Sequence, residues 1–127
     1  MRSSSLIILQ SDPLQDSSSL TLALVTALRG SFRSIRTVQS LDELRFHVAS
    51  RSAEVAIVDV ENVPLAEVAR LSQDFSRLRI VCTHRLADEE LWAAALNVGA
   101  SDLCPSYDIS AILAAVHRGG MKQPAAA

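Results

Sequence analysis

The feature that most constrains this chain is its alternation of short apolar runs with longer segments of helical periodicity. Leu6-Ile7-Ile8-Leu9, Val55-Ala56-Ile57-Val58 and Ile80-Val81-Cys82-Thr83 are strand-length runs with almost no polar alternation, as expected of parallel strands covered on both faces. Between them lie apolar residues at helical spacing. Leu20, Leu24, Val25 and Leu28 form the first stripe, which Gly30 is expected to end. Leu41, Leu44 and Val48 form the second, and Leu65, Val68, Leu71 and Phe75 the third. Ser40 and Glu43 have capping-box spacing ahead of the second helix. A weaker strand is expected at Ile35–Val38, a fourth helix over Leu86–Val98 with Gly99 at its C-terminal turn, and a short last strand at Asp102–Cys104. A final helix follows over Ile109–Arg118, capped by Asp108 or Ser110. The order is (βα)5, an α/β fold with a doubly wound five-stranded parallel sheet.

Size and charge narrow the function. The 127 residues are 49% hydrophobic, enough for one core without metal or disulfide support. Twelve basic and 14 acidic residues leave a net charge of -2, and no run of lysine and arginine stands out, so direct nucleic-acid contact by this segment is not expected. No stretch approaches the roughly 20 apolar residues of a membrane span, and Leu6–Leu9 is too short for a signal peptide, which makes a cytoplasmic location the expectation. Cys82 and Cys104 lack metal-site spacing and are expected to be buried, reduced thiols. One domain over residues 1–119 is expected, with 120–127 a flexible tail or the start of a linker.

Asp59 is the first candidate for function. It closes the Val55–Val58 run, and open α/β sheets bind ligands at the carboxyl ends of their strands. Its plainer reading is a strand-end carboxylate that caps its own loop. Thr83, at the end of the fourth strand, reads equally as a working hydroxyl or a β-branched strand residue. His84 reads as a loop residue, and His47 and His117 as structural or solvated. Trp92 reads as either a half-buried packing residue or an interaction anchor. No glycine-rich phosphate loop follows the first strand, where Ser11-Asp12-Pro13 stands, and no Cys/His or Ser/His/Asp set is evident, so no enzyme is expected. A small flavodoxin-like enzyme or ligand-binding domain remains the least supported alternative.

Four segments together resemble the receiver domains of bacterial two-component response regulators, the CheY-like fold, over nearly the whole chain. They are Leu6–Pro13, Val55–Asp59, Arg79–Thr83 and Gly99-Ala100-Ser101-Asp102-Leu103-Cys104-Pro105-Ser106. The last is similar to the Gly-Ala-x-Asp/Gly-Tyr-x-x-Lys segment of that family. With the final helix it leans toward the NarL-like branch, whose receivers precede a helix-turn-helix DNA-binding domain. The resemblance implies a phosphorelay signalling module in which Asp59 accepts a phosphoryl group from a sensor histidine kinase and Thr83 is the switch hydroxyl. It also implies Mg²⁺ held by acids after the first strand. The last two helices and strand would form the face for an output domain, another protein partner or a homodimer.

The same resemblance exposes departures. Gln10 and Ser11 replace the family's adjacent acids, leaving Asp12 one position late, so Mg²⁺ binding on Asp12 and Asp59 is expected to be weak. Ser106 occupies the lysine position and Tyr107 that of the following proline. Leu103 replaces the aromatic switch, His84 replaces a small residue, and Pro64 lies five residues after Asp59 rather than four. The expectation is an atypical receiver that works by protein contacts, either still phosphorylated at Asp59 or acting as a phosphorylation-independent pseudo-receiver, a dimerisation or scaffold module.

Overall fold

Each apolar run becomes a strand, and each periodic segment a helix laid across the sheet. The computed structural model describes residues 5–9, 18–51 and 53–118, in the order β1 (Ser5–Leu9), α1 (Ser18–Leu28), β2 (Ser34–Val38), α2 (Leu41–Arg51), β3 (Val55–Asp59), α3 (Leu65–Asp74), β4 (Arg79–His84), α4 (Glu89–Asn97), β5 (Asp102–Pro105) and α5 (Ile109–Arg118). Gln10, Ser11, Asp12 and the tail 120–127 lie outside the described residues. No helix among those described is long and apolar enough to cross a membrane.

All strand pairs are parallel, in the order β2-β1-β3-β4-β5. The winding reverses between β1 and β3, so their carboxyl ends flank the crevice where this topology places ligands. Alternate strand residues feed two cores. Ile7, Val58, Ile80, Cys82 and Leu103 face α2, α3 and α4, where Leu44, Val68, Leu71 and Ala95 close the layer. Leu6, Ile8, Val55, Ile57, Val81 and Cys104 face α1 and α5, against Leu24, Leu28, Ile112 and Val116. Fully burying such a side chain contributes about 1.5–3 kcal/mol, which is why strands apolar on both faces cannot sit at a surface.

The helix ends show which local signals dominate. Ser40 Oγ accepts from Glu43 N–H at 3.1 Å while Glu43 Oε1 accepts from Gln39 N–H at 2.9 Å, a reciprocal cap that fixes the start of α2. Asp108, not Ser110, caps α5 by accepting from Ala111 N–H at 3.0 Å. The expected start of α4 at Leu86 is corrected to Glu89, because Asp88 takes the N-cap and accepts from Leu91 N–H at 2.8 Å. α1 ends just before Gly30, as expected, but without a left-handed glycine. The helix closes at Leu28, whose carbonyl accepts from both Ser31 and Phe32 N–H, and Gly99 has the only positive φ among the described glycines.

Gly99 does what was expected of it. Its φ of +109° lies where only glycine is unstrained. A Cβ there would also stand 2.6 Å from Cβ of Ser72 on α3, so the turn after α4 packs against α3 with no room for a side chain.

Cys82 and Cys104 are free and buried. Cys82 pairs in register with Leu103, and Cys104 with Thr83, so the two thiols point to opposite faces of the sheet and cannot bridge. Burial, together with the nearby Cys104 and Asp102, pushes the Cys82 thiol up to about 12.

Candidate functional site

Parallel register brings the candidate residues to one end of the sheet. Asp59 pairs with Thr83, and Thr83 with Cys104, so these three side chains form a row on one face at the carboxyl ends of β3, β4 and β5. Thr83 is almost fully buried, and Cys104 Sγ donates to the Ala111 carbonyl of α5 at 3.5 Å. The pairing of Asp59 with Thr83 follows from the two apolar runs having equal lengths and a common register. Ser106 lies one strand further on, its N–H bonded to the His84 carbonyl at 3.1 Å. Gln10, Ser11 and Asp12 lie outside the described residues, so the second half of the expected metal set has no geometry here.

Asp59 is engaged with its own loop. Oδ1 accepts from Glu61 N–H and Oδ2 from Asn62 Nδ2, both at 2.9 Å, and its carbonyl accepts from the N–H groups of Asn62 and Val63. This Asx-type turn closes the β3–α3 loop and fulfils the plainer of the two readings of this residue, without excluding the other.

The strongest polar contact near Asp59 was not foreseen. Glu61 receives the backbone N–H of Arg85 at 2.9 Å on Oε2 and the guanidinium Nε at 2.9 Å on Oε1 and 3.1 Å on Oε2. The Glu61 side chain is 17% exposed and that of Arg85 69%, so the carboxylate is sheltered and the cation is at the surface. Burial alone would push the Glu61 carboxyl up. The hydrogen bonds from Arg85 and its positive charge, with a smaller contribution from His84, outweigh this and hold it below the ordinary 4.5.

One signal could have found this clasp. Glu61 and Arg85 each stand two residues beyond the registered pair Asp59/Thr83, so parallel strands deliver them to facing loops although they are 24 residues apart. Ser106 stands two residues beyond Cys104, the next position in the same row. The cation missing at Ser106 is thus present one strand closer to Asp59, on Arg85, where it is paired with Glu61.

The switch positions differ from the pattern that the resemblance implies. Leu103 is buried in the core against α4, where it cannot swing in and out as a surface aromatic would. His84 Nδ1 accepts from Leu86 N–H at 2.9 Å, so the ring braces its own loop. Trp92, 45% exposed, donates through Nε1 to Asp102 Oδ1 at 3.1 Å and ties α4 to β5. His117, read as structural or solvated, has a side-chain partner: its Nε2 lies 3.0 Å from Ser31 Oγ.

Among the described residues no three His, Cys, Asp or Glu converge to hold an ion; each Asp59 oxygen accepts from one loop donor, Glu61 is paired with Arg85, and Asp12, the other expected ligand, lies outside the described residues.

The sequence matches no family model and no curated protein. Solved structures do match in fold. The N-terminal signal receiver domain of a two-component response regulator from Bacteroides fragilis superposes with a TM-score of 0.77 at 20% identity, covering 95% of this chain and 99% of that one. An orphan response regulator of H. pylori gives 0.76 at 19% identity, over 93% and 98%. A Salmonella typhimurium response regulator described for its conformational dynamism in DNA interaction gives 0.72 at 15%, over 98% of this chain and 65% of that one. At these identities the likeness establishes the receiver fold.

Proposed function

We propose that this chain is a receiver-fold signalling module that acts through protein contacts and does not need phosphorylation to do so. The observation that carries this reading is the Asp59–Glu61–Arg85 chain of hydrogen bonds. A phosphoryl group on a carboxylate places negative charge that must be met by cations and donors. Here the local cation is paired with a carboxylate, the carboxylate candidate is engaged by its own loop, and Ser106 supplies no charge. The two loops that a phosphoryl group would draw together are joined by an internal ion pair instead. The partner face we assign is that of α4, β5 and α5, where Trp92 is anchored yet nearly half exposed, and its occupant is an output domain, a separate protein or a second copy. The likeness to response regulators, among them one described in terms of DNA interaction, supports transcriptional output as the downstream role.

A second reading is favoured by one observation: Asp59 and Thr83 stand side by side at the carboxyl ends of adjacent strands. In that reading a histidine kinase phosphorylates Asp59, Thr83 answers as the switch hydroxyl, Ser106 stands in weakly for the lysine, and Asp12 with Asp59 holds Mg²⁺ weakly. Amide spectra with and without Mg²⁺ and beryllofluoride, a phosphoryl mimic, separate the two. Unchanged resonances for Asp59, Glu61 and Thr83 support the first; shifts there that spread to α4, β5 and α5 support the second.

A further inference from the structure

Helix α4 has more apolar surface than its own core uses. Leu91, Ala95 and Val98 pack into the layer under the helix, but the apolar run Leu91–Leu96 continues around it, so that Trp92, Ala93 and Leu96 recur at helical spacing on another flank. Trp92 and Ala93 are exposed, and Leu96 is half-buried outside the core cluster. The hydrogen bond from Trp92 to Asp102 turns that flank toward the edge strand β5. The loops entering α4 and α5 are joined by the Ser106 N–H to the His84 carbonyl, and they add Leu86 and Tyr107, 75% and 71% exposed. Of the large apolar side chains exposed among the described residues, only Phe46 stands elsewhere. A surface helix apolar on two flanks, with aromatic side chains left in solvent beside it, marks a contact surface.

Charge selects what can cover it. From residue 86 to residue 116 the chain has five acids, Asp88, Glu89, Glu90, Asp102 and Asp108, and no lysine, arginine or histidine, which leaves nine acids against twelve lysines and arginines in the rest. Asp88 and Asp108 also serve as helix caps, which does not cancel their charge. Glu89 falls in the same stripe as Trp92, Ala93 and Leu96, and both Glu89 and Glu90 are exposed. The bases that bound this stretch are engaged, Arg85 with Glu61 and His117 with Ser31. Arg70 of α3, Arg77 after it and Arg29 after α1 stand on flanking elements. A second copy seated symmetrically would set this patch against itself, bringing acids to acids with no base of the patch to answer them. The face instead complements a partner that is apolar and positively charged.

We propose that this face docks a cationic amphipathic segment of another protein, whose apolar side chains cover Trp92, Ala93 and Leu96 while its lysines or arginines meet Glu89 and Glu90. The proposal rests on the reading of α4, β5 and α5 as the partner face; it adds the chemistry of the occupant and rejects a symmetric pair of copies through this patch.

Trp92 is the only tryptophan of the chain, so tryptophan emission reports this face alone. The probes are a synthetic amphipathic peptide of leucine and lysine at helical spacing and its counterpart with glutamate in place of lysine. Each is titrated into the full chain at about 0.15 M ionic strength, where charges more than about 8 Å away are largely screened. The lysine peptide should give a saturable blue shift and the glutamate peptide none. Glu89→Gln with Glu90→Gln should weaken the midpoint about threefold or more, as expected when two exposed charge pairs are lost. Asp42→Asn with Glu67→Gln, which removes as much charge from α2 and α3, should leave it unchanged. Ala93→Arg, at an exposed position beside Trp92, should abolish saturation. Equal shifts with both peptides, or equal midpoints in the two double variants, would overturn the proposal while leaving the face a docking surface. No shift with either peptide would overturn the docking surface itself. Light scattering of the free protein should give the monomer mass at every concentration, and a dimer that is lost in Ala93→Arg would overturn the proposal by making a second copy the occupant.

Discussion

Gly99→Ala should destabilise the fold far more than its single methyl suggests. The backbone at this position has φ +109°, and the new Cβ would lie 2.6 Å from Ser72 Cβ and closer still to Ser72 Oγ. The hydroxyl can rotate away, but Ser72 Cβ is fixed to α3 and cannot. A left-handed conformation costs a non-glycine residue roughly 1–2 kcal/mol, and forcing a methyl into a packed contact costs about 1–3 kcal/mol more, so the total is about 2–5 kcal/mol. For a domain of this size that lowers Tm by on the order of 10 °C or more. The assay is urea and thermal unfolding followed by far-UV circular dichroism, on Gly99→Ala, Ser72→Gly and the double variant. Removing Ser72 Cβ should restore the packing part of the loss and leave the backbone part, so the double variant should be more stable than the sum of the single changes predicts. An unchanged Tm in Gly99→Ala, or strictly additive losses, would refute the close approach of the α4–β5 turn to α3.

Two other outcomes follow from the site and the core. Because the folded Glu61 carboxyl lies below its ordinary 4.5, the clasp stabilises the fold above that pH and the contribution is lost as pH falls through the depressed value, so Glu61→Gln should flatten the acid limb of the stability profile below pH 4.5 while leaving the slope near neutrality unchanged. An acid limb identical to that of the parent protein would show that Arg85 does not hold Glu61. With Cys82 pushed up to about 12 and both thiols buried, neither cysteine should react with a disulfide reagent at pH 8 until the protein unfolds, and fast modification of the native state would contradict the packing of β4 and β5.

How far the sequence alone could lead depends on the range of each interaction. Strands whose residues are apolar on both faces, such as Val55–Val58, announce their burial without help from the rest of the chain, and so does the capping box of Ser40 and Glu43. Gly99 was legible because a glycine after an apolar helix has few other uses. The start of α4 was misplaced because Leu86 continues the helical spacing, while the competing signal, the Asp88 cap, is a single side chain. Asp59 and Thr83 could be singled out because each ends its own strand. The Glu61–Arg85 clasp could not be read locally, since its partners meet only through the β3–β4 register. The same holds for His117 with Ser31, which come together only when α5 folds back beside the end of α1. Leu103 was legible as a departure, but its burial against α4 needed the packed sheet.

The central claim is that Asp59, held by its own loop, takes up no phosphoryl group, and that this module works without one. The direct measurement is intact mass after incubation with acetyl phosphate and Mg²⁺, on the parent protein and on Asp59→Ala. The account predicts no phosphate-sized gain in either. A gain in the parent protein that disappears in Asp59→Ala would contradict it and make Asp59 a live phospho-acceptor despite its hydrogen bonds to the loop.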